Sequence, residues 1–140
     1  LALRGLHTHS QQDSALFSHL VGPACPGLCS LVMEGRFSMR MGIIQPCLLT
    51  SLAACPQLTH LELHELELSP AAQQQLRVLP VCAPALRSLQ LHLCPHAPML
   101  IHALAGQLTS LVWFGLDSTP GWEAALAGCT RLQEVRLGVV

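Results

Sequence analysis

The stretch LTHLELHELELS, residues 58–69, holds the pattern that decides the fold of this chain. Its first, fourth, sixth, ninth and eleventh places are all leucine: Leu58, Leu61, Leu63, Leu66 and Leu68. Leucine at the fourth and sixth places, with a polar residue between them, predicts a short strand that buries one face. The residues at the third, fifth and seventh places then point to the opposite face of that strand.

The first half of this pattern recurs along the chain. Large apolar residues return at the first, fourth and sixth places in four further copies: Leu28-Leu31-Met33, Leu86-Leu89-Leu91, Leu108-Leu111-Trp113 and Leu132-Val135-Leu137. A truncated copy, Leu1-Leu3-Leu6, opens the chain and places Ala2 and Arg4 at the fifth and seventh places. Since the copies follow one another at roughly 20 to 30 residues, the chain is predicted to be an array of similar units.

The segments between the copies predict helices. Ser69 followed by Pro70 is typical of an N-cap and a first helical position, and Thr119 followed by Pro120 repeats that pair before GWEAALAG. Pro46 and Pro98 open CLLTSLAA and MLIHALAG in the same way. The sequence therefore predicts an α/β fold in which parallel strands are joined by helices.

The junctions that precede the strands carry a family resemblance. ACPGLCSL, ACPQLTHLEL, CAPALRSLQLHLC and GCTRLQEVRL resemble the cysteine-containing and ribonuclease-inhibitor-like subclasses of leucine-rich-repeat proteins. The resemblance covers essentially the whole chain. It implies a horseshoe solenoid with strands on the concave face, helices on the convex face, and about five repeats plus the truncated one.

The same resemblance sets two further expectations. Residues 1–140 should form one leucine-rich-repeat domain, a fragment of a longer array without terminal caps. In the family the ninth place holds Asn or Cys, which satisfies backbone groups of the turn, and in this chain only Cys94 fits. We therefore expect a looser, more apolar turn after most strands.

Composition argues against two classes of partner. The net charge is −1 and the seven basic residues are scattered arginines, so no basic patch exists for a nucleic-acid backbone. Two windows without charged residues, 41–61 and 88–116, are interrupted by Pro, Gln and His and do not predict membrane spans.

The cysteines point to a compartment. Seven cysteines, an odd number without a CxxC pair, predict reduced thiols in the core rather than a disulfide framework. Cytoplasmic localisation is the corresponding expectation, with the nucleus and the cytoskeleton or ciliary axoneme as alternatives.

The concave face is the expected binding surface, because alternate side chains of every strand point there. Its centre is polar and rich in histidine, and its C-terminal side offers an apolar anchor. The predicted partner-binding residues are His60, Glu62, His64, Gln90, His92, Val112, Phe114 and Arg136. We expect a non-catalytic scaffold that binds a protein partner and needs no cofactor.

Two alternatives stay open. By resemblance, cysteine-containing repeats form the substrate-recognition part of F-box ubiquitin-ligase subunits, which would contact the ligase core through a module N-terminal to the repeats. The third reading is a metal-dependent enzyme that uses His60, Glu62, His64 and His92. We rank it last because an open sheet face lacks the pocket that zinc ligands require, and because HLELH is not the HExxH motif.

Overall fold

The computed structural model describes residues 2–7, 27–35, 42–115 and 120–139. The strands in these ranges are β1 (Ala2–His7), β2 (Ser30–Glu34), β3 (Gly42–Ile44), β4 (His60–His64), β5 (Leu66–Leu68), β6 (Ser88–His92), β7 (Ser110–Phe114) and β8 (Glu134–Gly138). The α-helices are α1 (Pro46–Ser51), α2 (Pro70–Gln74), α3 (Leu79–Cys82), α4 (Ala97–Leu104) and α5 (Trp122–Ala127). Two 3-10 turns, Leu52–Ala54 and Leu76–Val78, extend the helical segments.

The strands form an open parallel sheet. Six of them pair in the order β1-β2-β4-β6-β7-β8, and β3 pairs with β5 in a second parallel sheet of two strands. Every strand pair in the described ranges is parallel. The α/β class and the parallel pairing predicted from the leucine copies are confirmed.

Alternation along each strand separates a core face from an exposed face. The residues at the fourth and sixth places are buried in four successive strands: Leu31, Met33, Leu61, Leu63, Leu89, Leu91, Leu111 and Trp113. They form one cluster with apolar residues of the helices, among them Leu48 of α1 and Ile101 of α4. The helices therefore cover one face of the sheet, and we call the opposite face, formed by the third, fifth and seventh places of β4, β6, β7 and β8, the solvent face.

The strand at the far edge departs from this rule. Val135 and Leu137 of β8 occupy the fourth and sixth places, yet they are 45% and 41% exposed. Their partners on β7, Leu111 and Trp113, are fully buried. β8 pairs on one side only within the described sheet, so its apolar side chains are covered on one flank.

The register of the first strand corrects one prediction. Leu3 pairs with Leu31 and Leu6 pairs with Met33, so they take the fourth and sixth places, and Ala2 pairs with Ser30 at the third place. The assignment of Ala2 to the fifth place was therefore wrong. An irregularity between Leu3 and Leu6 absorbs the additional residue that separates these two leucines.

Most of the predicted helix starts are observed. The Ser69 hydroxyl accepts a hydrogen bond from the Ala72 backbone N–H at 3.1 Å, and Pro70 is the first residue of α2. Pro46 begins α1, and α4 begins at Ala97, one residue before Pro98.

One predicted helix start is wrong. Helix α5 begins at Trp122, and Gly121 is its N-cap with a φ of 86°, so Pro120 lies before the helix rather than at its first position. Only glycine adopts this left-handed backbone at low cost, which explains why the cap falls there. Thr119 lies outside the described residues.

The residues that follow three of the strands share a positive φ. Glu65, Leu93 and Gly115 directly follow β4, β6 and β7, and their φ angles are 52°, 52° and 105°. Each donates its N–H to the carbonyl of the residue at the seventh place of the next strand, at 2.8 to 3.0 Å. The main-chain ladder therefore continues one residue beyond the strands.

The predicted loose turn is replaced by additional structure after β4. Leu66 and Leu68 form β5, pair with β3 and are buried. Cys94, the residue that fits the family's ninth place, is also buried, and its thiol lies 3.5 Å from the Leu63 carbonyl. Burial raises the pKa of Cys94 to about 11, so this thiol stays protonated at neutral pH.

No disulfide joins the six cysteines of the described ranges: Cys29, Cys47, Cys55, Cys82, Cys94 and Cys129. Three of them, Cys55, Cys94 and Cys129, are buried, as expected for core thiols. Cys25 lies outside the described residues. Among the helices of the described ranges, none combines the length and apolar character needed to cross a bilayer.

Candidate functional site

Strand register collects the predicted binding residues into rows on the solvent face. Residues that occupy the same place in β4, β6, β7 and β8 are direct partners across the sheet. The third, fifth and seventh places give three rows: His60-Ser88-Ser110-Glu134, Glu62-Gln90-Val112-Arg136, and His64-His92-Phe114-Gly138. Residues distant in the sequence thus become neighbours about 4.8 Å apart in the sheet direction.

Glu62 is the centre of a hydrogen-bonded cluster. Its Oε1 accepts a hydrogen bond from His64 Nε2 at 2.5 Å and another from Gln90 Nε2 at 3.2 Å. Its other carboxylate oxygen, Oε2, lies 3.6 Å from His60 Nε2. The side chains of Glu62, His64 and His60 are 20%, 29% and 30% exposed, so the cluster is accessible but held in place.

The neighbours of Glu62 set its charge. Partial burial by itself raises the pKa of a carboxyl group, but the hydrogen bond from His64 and the charges of His64 and His60 outweigh it and lower the pKa of Glu62. Glu62 is therefore ionised at neutral pH. An anion at the middle of the face favours cationic and hydrogen-bond-donating groups beside it.

Gln90 joins Glu62 to the third row. The same amide nitrogen that donates to Glu62 lies 2.9 Å from His92 Nε2 and can donate its second hydrogen there. Such a bond requires the neutral form of His92 with a free lone pair on Nε2. Burial and the neighbouring charge of His64 lower the pKa of His92, in agreement with a neutral ring.

Three rings follow one another along the third row, the first two stacked and the third tilted by 31°. The His64 and His92 rings are nearly parallel, with centroids 4.3 Å apart and an interplanar angle of 7°. The Phe114 ring follows with its centroid 4.9 Å from that of His92. The row ends at Gly138, where an added Cβ would collide with the Phe114 ring. The absence of a side chain at Gly138 therefore leaves room for Phe114 to lie across β8.

Two predicted residues belong neither to the hydrogen-bonded cluster nor to the row of rings. Val112 is partly exposed and lies between Gln90 and Arg136 in the second row. Arg136 forms a salt bridge with Glu134 at 3.1 Å, and their side chains are 71% and 57% exposed. Ion pairs with this exposure contribute little to stability, so Arg136 remains free to exchange partners.

Two residues outside the predicted set hold others in place. The Ser88 hydroxyl lies 2.9 Å from His60 Nδ1 and fixes the orientation of that ring. His96 Nδ1 accepts a hydrogen bond from the backbone N–H of Leu68 at 3.1 Å and thereby completes the edge of β5. Ser88 could have been found from its place opposite His60, whereas His96 carries no signal in the leucine pattern.

Within the described residues, two larger cavities lie away from the solvent face. One is an apolar groove of about 470 Å³ between α2, α4 and α5, with Met99 and Ala124 in its lining. The other, about 450 Å³, lies beside β5 and includes Ile43, Glu67 and His96. Neither contains a residue of the solvent face, so the predicted binding residues form a surface separate from both.

The chain was compared with known protein families, curated proteins and solved structures. No protein-family model, curated protein or solved structure matches the chain.

Proposed function

We propose that the chain is a leucine-rich-repeat array, a horseshoe solenoid, whose solvent face is the concave side and binds a protein partner without catalysis. The parallel sheet and the recurring buried leucines support the repeat architecture. The observation that carries the binding proposal is the in-register arrangement of half-exposed polar and aromatic side chains across β4, β6 and β7.

The chemistry of this surface suits a protein ligand. Glu62 and Gln90 offer charge and hydrogen bonds, while Val112 and Phe114 offer apolar contact area beside them. Interfaces combine these features, with aromatic anchors at the centre and polar groups around them. The mutual hydrogen bonds of the cluster also fix the side chains before binding, which lowers the entropy lost on association.

A phosphate backbone is a poor match for the same surface. The three rows contain one arginine, Arg136, at the edge strand, and the acidic residues Glu62 and Glu134. Nucleic-acid binding requires several cationic side chains near the phosphates. The charge of the rows therefore favours a peptide or protein ligand.

The ubiquitin-ligase alternative depends on the family resemblance alone. An F-box-like helical module encoded upstream of Leu1 would favour it, because that module is the part that contacts the ligase core. The solvent face would then be the substrate-recognition surface, so both versions of the proposal use the same residues.

Selection from a random peptide library displayed on phage tests the proposal. We expect the chain to enrich peptides that carry an aromatic or large apolar anchor. Phe114→Ala should weaken the selected peptides by about tenfold or more, because truncation of a central aromatic anchor commonly costs at least 1 to 2 kcal/mol. Thermal unfolding should verify that the variant is folded.

Met99→Ala is the matched control on the helix side. Met99 is 41% exposed and belongs to the groove between α2, α4 and α5. Its truncation should leave peptide affinity unchanged. Loss of binding in Met99→Ala together with full binding in Phe114→Ala would move the interface to the helices and contradict the proposal.

A further inference from the structure

Three side chains of the solvent face have the composition and the spacing of a metal site. Glu62, His64 and His92 each offer one ligand atom, and these atoms all lie within 4.8 Å of one another. Glu62 and His64 come from β4, and His92 comes from the partner position of His64 on β6. Parallel pairing therefore brings ligands from two sequence segments to one place.

The distances are close to those that a tetrahedral ion requires. Zinc binds imidazole nitrogen and carboxylate oxygen at about 2.0 to 2.2 Å, which places neighbouring ligand atoms about 3.3 Å apart. The separation of His64 Nε2 and Glu62 Oε1 is 2.5 Å, shorter than this, and the other separations reach at most 4.8 Å. Binding of an ion with tetrahedral coordination therefore requires His64 and Glu62 to move slightly apart and any wider pair to approach.

The stacked histidine rings define the movement that is needed. In parallel rings with centroids 4.3 Å apart, the ring lone pairs lie in parallel planes rather than meeting at one point. Rotation about the terminal side-chain torsion is soft for histidine and turns both nitrogens toward a common centre. Both rings are partly exposed, so neither rotation requires a change in the core.

Surrounding residues supply the outer contacts that metal sites use. His60 lies 3.6 Å from the second oxygen of Glu62, and Ser88 holds the His60 ring at 2.9 Å. Gln90 contacts Glu62 through its amide nitrogen, but its bond to His92 uses the only lone pair of that ring and must break when His92 binds an ion. These groups orient the ligands, and outer contacts of this kind tune metal affinity.

We propose that Glu62, His64 and His92 bind a zinc ion on the solvent face, with the fourth position open to water. Two imidazoles and one carboxylate favour zinc over magnesium and calcium, which take oxygen ligands. The half-exposed surroundings leave the space for the fourth ligand. The proposal does not depend on the proposed protein partner, because it concerns the chain and the ion alone.

Titration with zinc chloride at neutral pH, followed by calorimetry, tests the site. We expect one ion per chain, and His64→Ala and His92→Ala should each weaken binding by about tenfold or more, since loss of an outer contact alone costs that much. Glu62→Gln keeps the shape of the side chain and removes the charge, and it should weaken zinc as well. Circular dichroism should show that all three variants fold; where an alanine variant does not, the glutamine variant at the same position replaces it.

His102→Ala is the matched control, because His102 is exposed on α4 far from the rows. It should bind zinc as tightly as the unmodified chain. Cysteine provides the second control, because Cys47 is exposed and thiolates bind zinc strongly. Cobalt bound in place of zinc should show visible absorption without a thiolate charge-transfer band.

Three outcomes would overturn the proposal. The first is the absence of saturable zinc binding, which would leave a hydrogen-bonded cluster only. The second is binding that the substitutions at positions 62, 64 and 92 do not change. The third is a cobalt spectrum dominated by thiolate ligands. None of them would affect the peptide-binding result for Phe114→Ala, so failure of the metal site and failure of the protein-binding proposal are distinguishable.

Discussion

At the scale of single residues, the solvent face depends on the charge of Glu62 and the neutrality of His92. Both groups have a lowered pKa, Glu62 because its histidine neighbours outweigh burial and His92 chiefly because of burial. A group whose pKa is lower in the folded chain stabilises the fold above its unfolded pKa. That stability is lost as the pH falls through the folded value.

The two lowered pKa values predict that the free energy of unfolding falls in two steps as the pH is lowered. As the pH falls below about 6.5, the ordinary pKa of histidine, the unfolded chain takes up a proton that His92 resists, and the free energy of unfolding should fall. A second loss should follow below about 4.3, the ordinary pKa of glutamate, as Glu62 is neutralised. Urea unfolding from pH 8 to pH 3.5 measures both.

His92→Phe is the variant that separates the two steps. It keeps an aromatic ring between His64 and Phe114 and removes the titrating group, so the loss attributed to His92 near neutral pH should shrink while the acidic step persists. An unchanged loss in His92→Phe would mean that another histidine produces it. Glu62→Gln should act in the opposite way and reduce the acidic step.

Trp113 is a second residue with a specific expectation. It is fully buried at the sixth place of β7, and its Nε1 has no hydrogen-bond partner among the described residues. An unpaired buried donor costs about 1 to 3 kcal/mol, which offsets part of the packing that the indole provides. Trp113→Ala should therefore destabilise by about 3 to 5 kcal/mol, while Trp113→Phe should cost less than about 1.5 kcal/mol.

Urea unfolding of the two variants measures the difference. Equal losses for Phe and Ala would show that the indole N–H is satisfied and that its packing is irreplaceable. The measurement thus separates the cost of the unpaired indole N–H from the contribution of side-chain burial.

At the scale of elements, the turns that follow the strands determine how each strand leads into the next segment. Gly115 has a φ of 105°, and an added Cβ would lie 3.4 Å from the Leu93 side chain. Gly115→Ala should destabilise by more than about 1 kcal/mol, because alanine resists this backbone conformation. Gly106, with ordinary backbone and no atom within 4 Å of an added Cβ, is the control.

The comparison is made by the midpoint of thermal unfolding. Gly106→Ala should leave the midpoint unchanged or raise it slightly, since alanine reduces the entropy of the unfolded chain. A loss in Gly106→Ala equal to that in Gly115→Ala would show that the left-handed turn is not the cause.

The limits of sequence reasoning also appear at this scale. Leucine at alternate places predicted the strands and their buried face, because a strand has a fixed period of two. The repeated template also predicted that His64, His92 and Phe114 share one row. The contacts of Gln90 with Glu62 and His92 could not be predicted, since they depend on side-chain rotamers. Glu62 is 28 residues from Gln90 in the sequence, and His92 is 2 residues from it.

One long-range strand pairing and two local backbone features account for the other differences between the prediction and the structure. Pairing of β3 with β5 joins segments that are distant in the chain and carry no recurring motif. The helix cap at Gly121 depends on a single left-handed residue, which the nearby Thr119-Pro120 pair concealed. The irregularity in β1 shifted the first copy, because a fixed template has no place for an additional residue.

At the scale of the whole molecule, the described sheet is open and its edge strand β8 exposes apolar side chains. Val135 and Leu137 are 45% and 41% exposed at places that are buried in β7. Exposed apolar edges promote association between chains. The variant Val135→Thr with Leu137→Gln should reduce self-association and lower the free energy of unfolding by no more than about 0.5 kcal/mol per site.

Sedimentation velocity over a range of concentrations measures this effect. Leu111→Thr is the comparison at a buried position. Leu111 occupies the same place in β7 as Val135 does in β8 but is fully buried, so its substitution should lower the free energy of unfolding strongly. Unchanged self-association in the Val135 and Leu137 variant would show that β8 is not the associating edge.

The proposed binding surface and the proposed zinc site both depend on the register of β4, β6 and β7. Nuclear Overhauser effects between ring protons test it directly, with Phe114→Leu used to assign the Phe114 signals. We predict contacts from His92 to both His64 and Phe114, whose ring centroids are 4.3 and 4.9 Å away. A folded chain in which His92 shows neither contact would contradict the register and everything built on it.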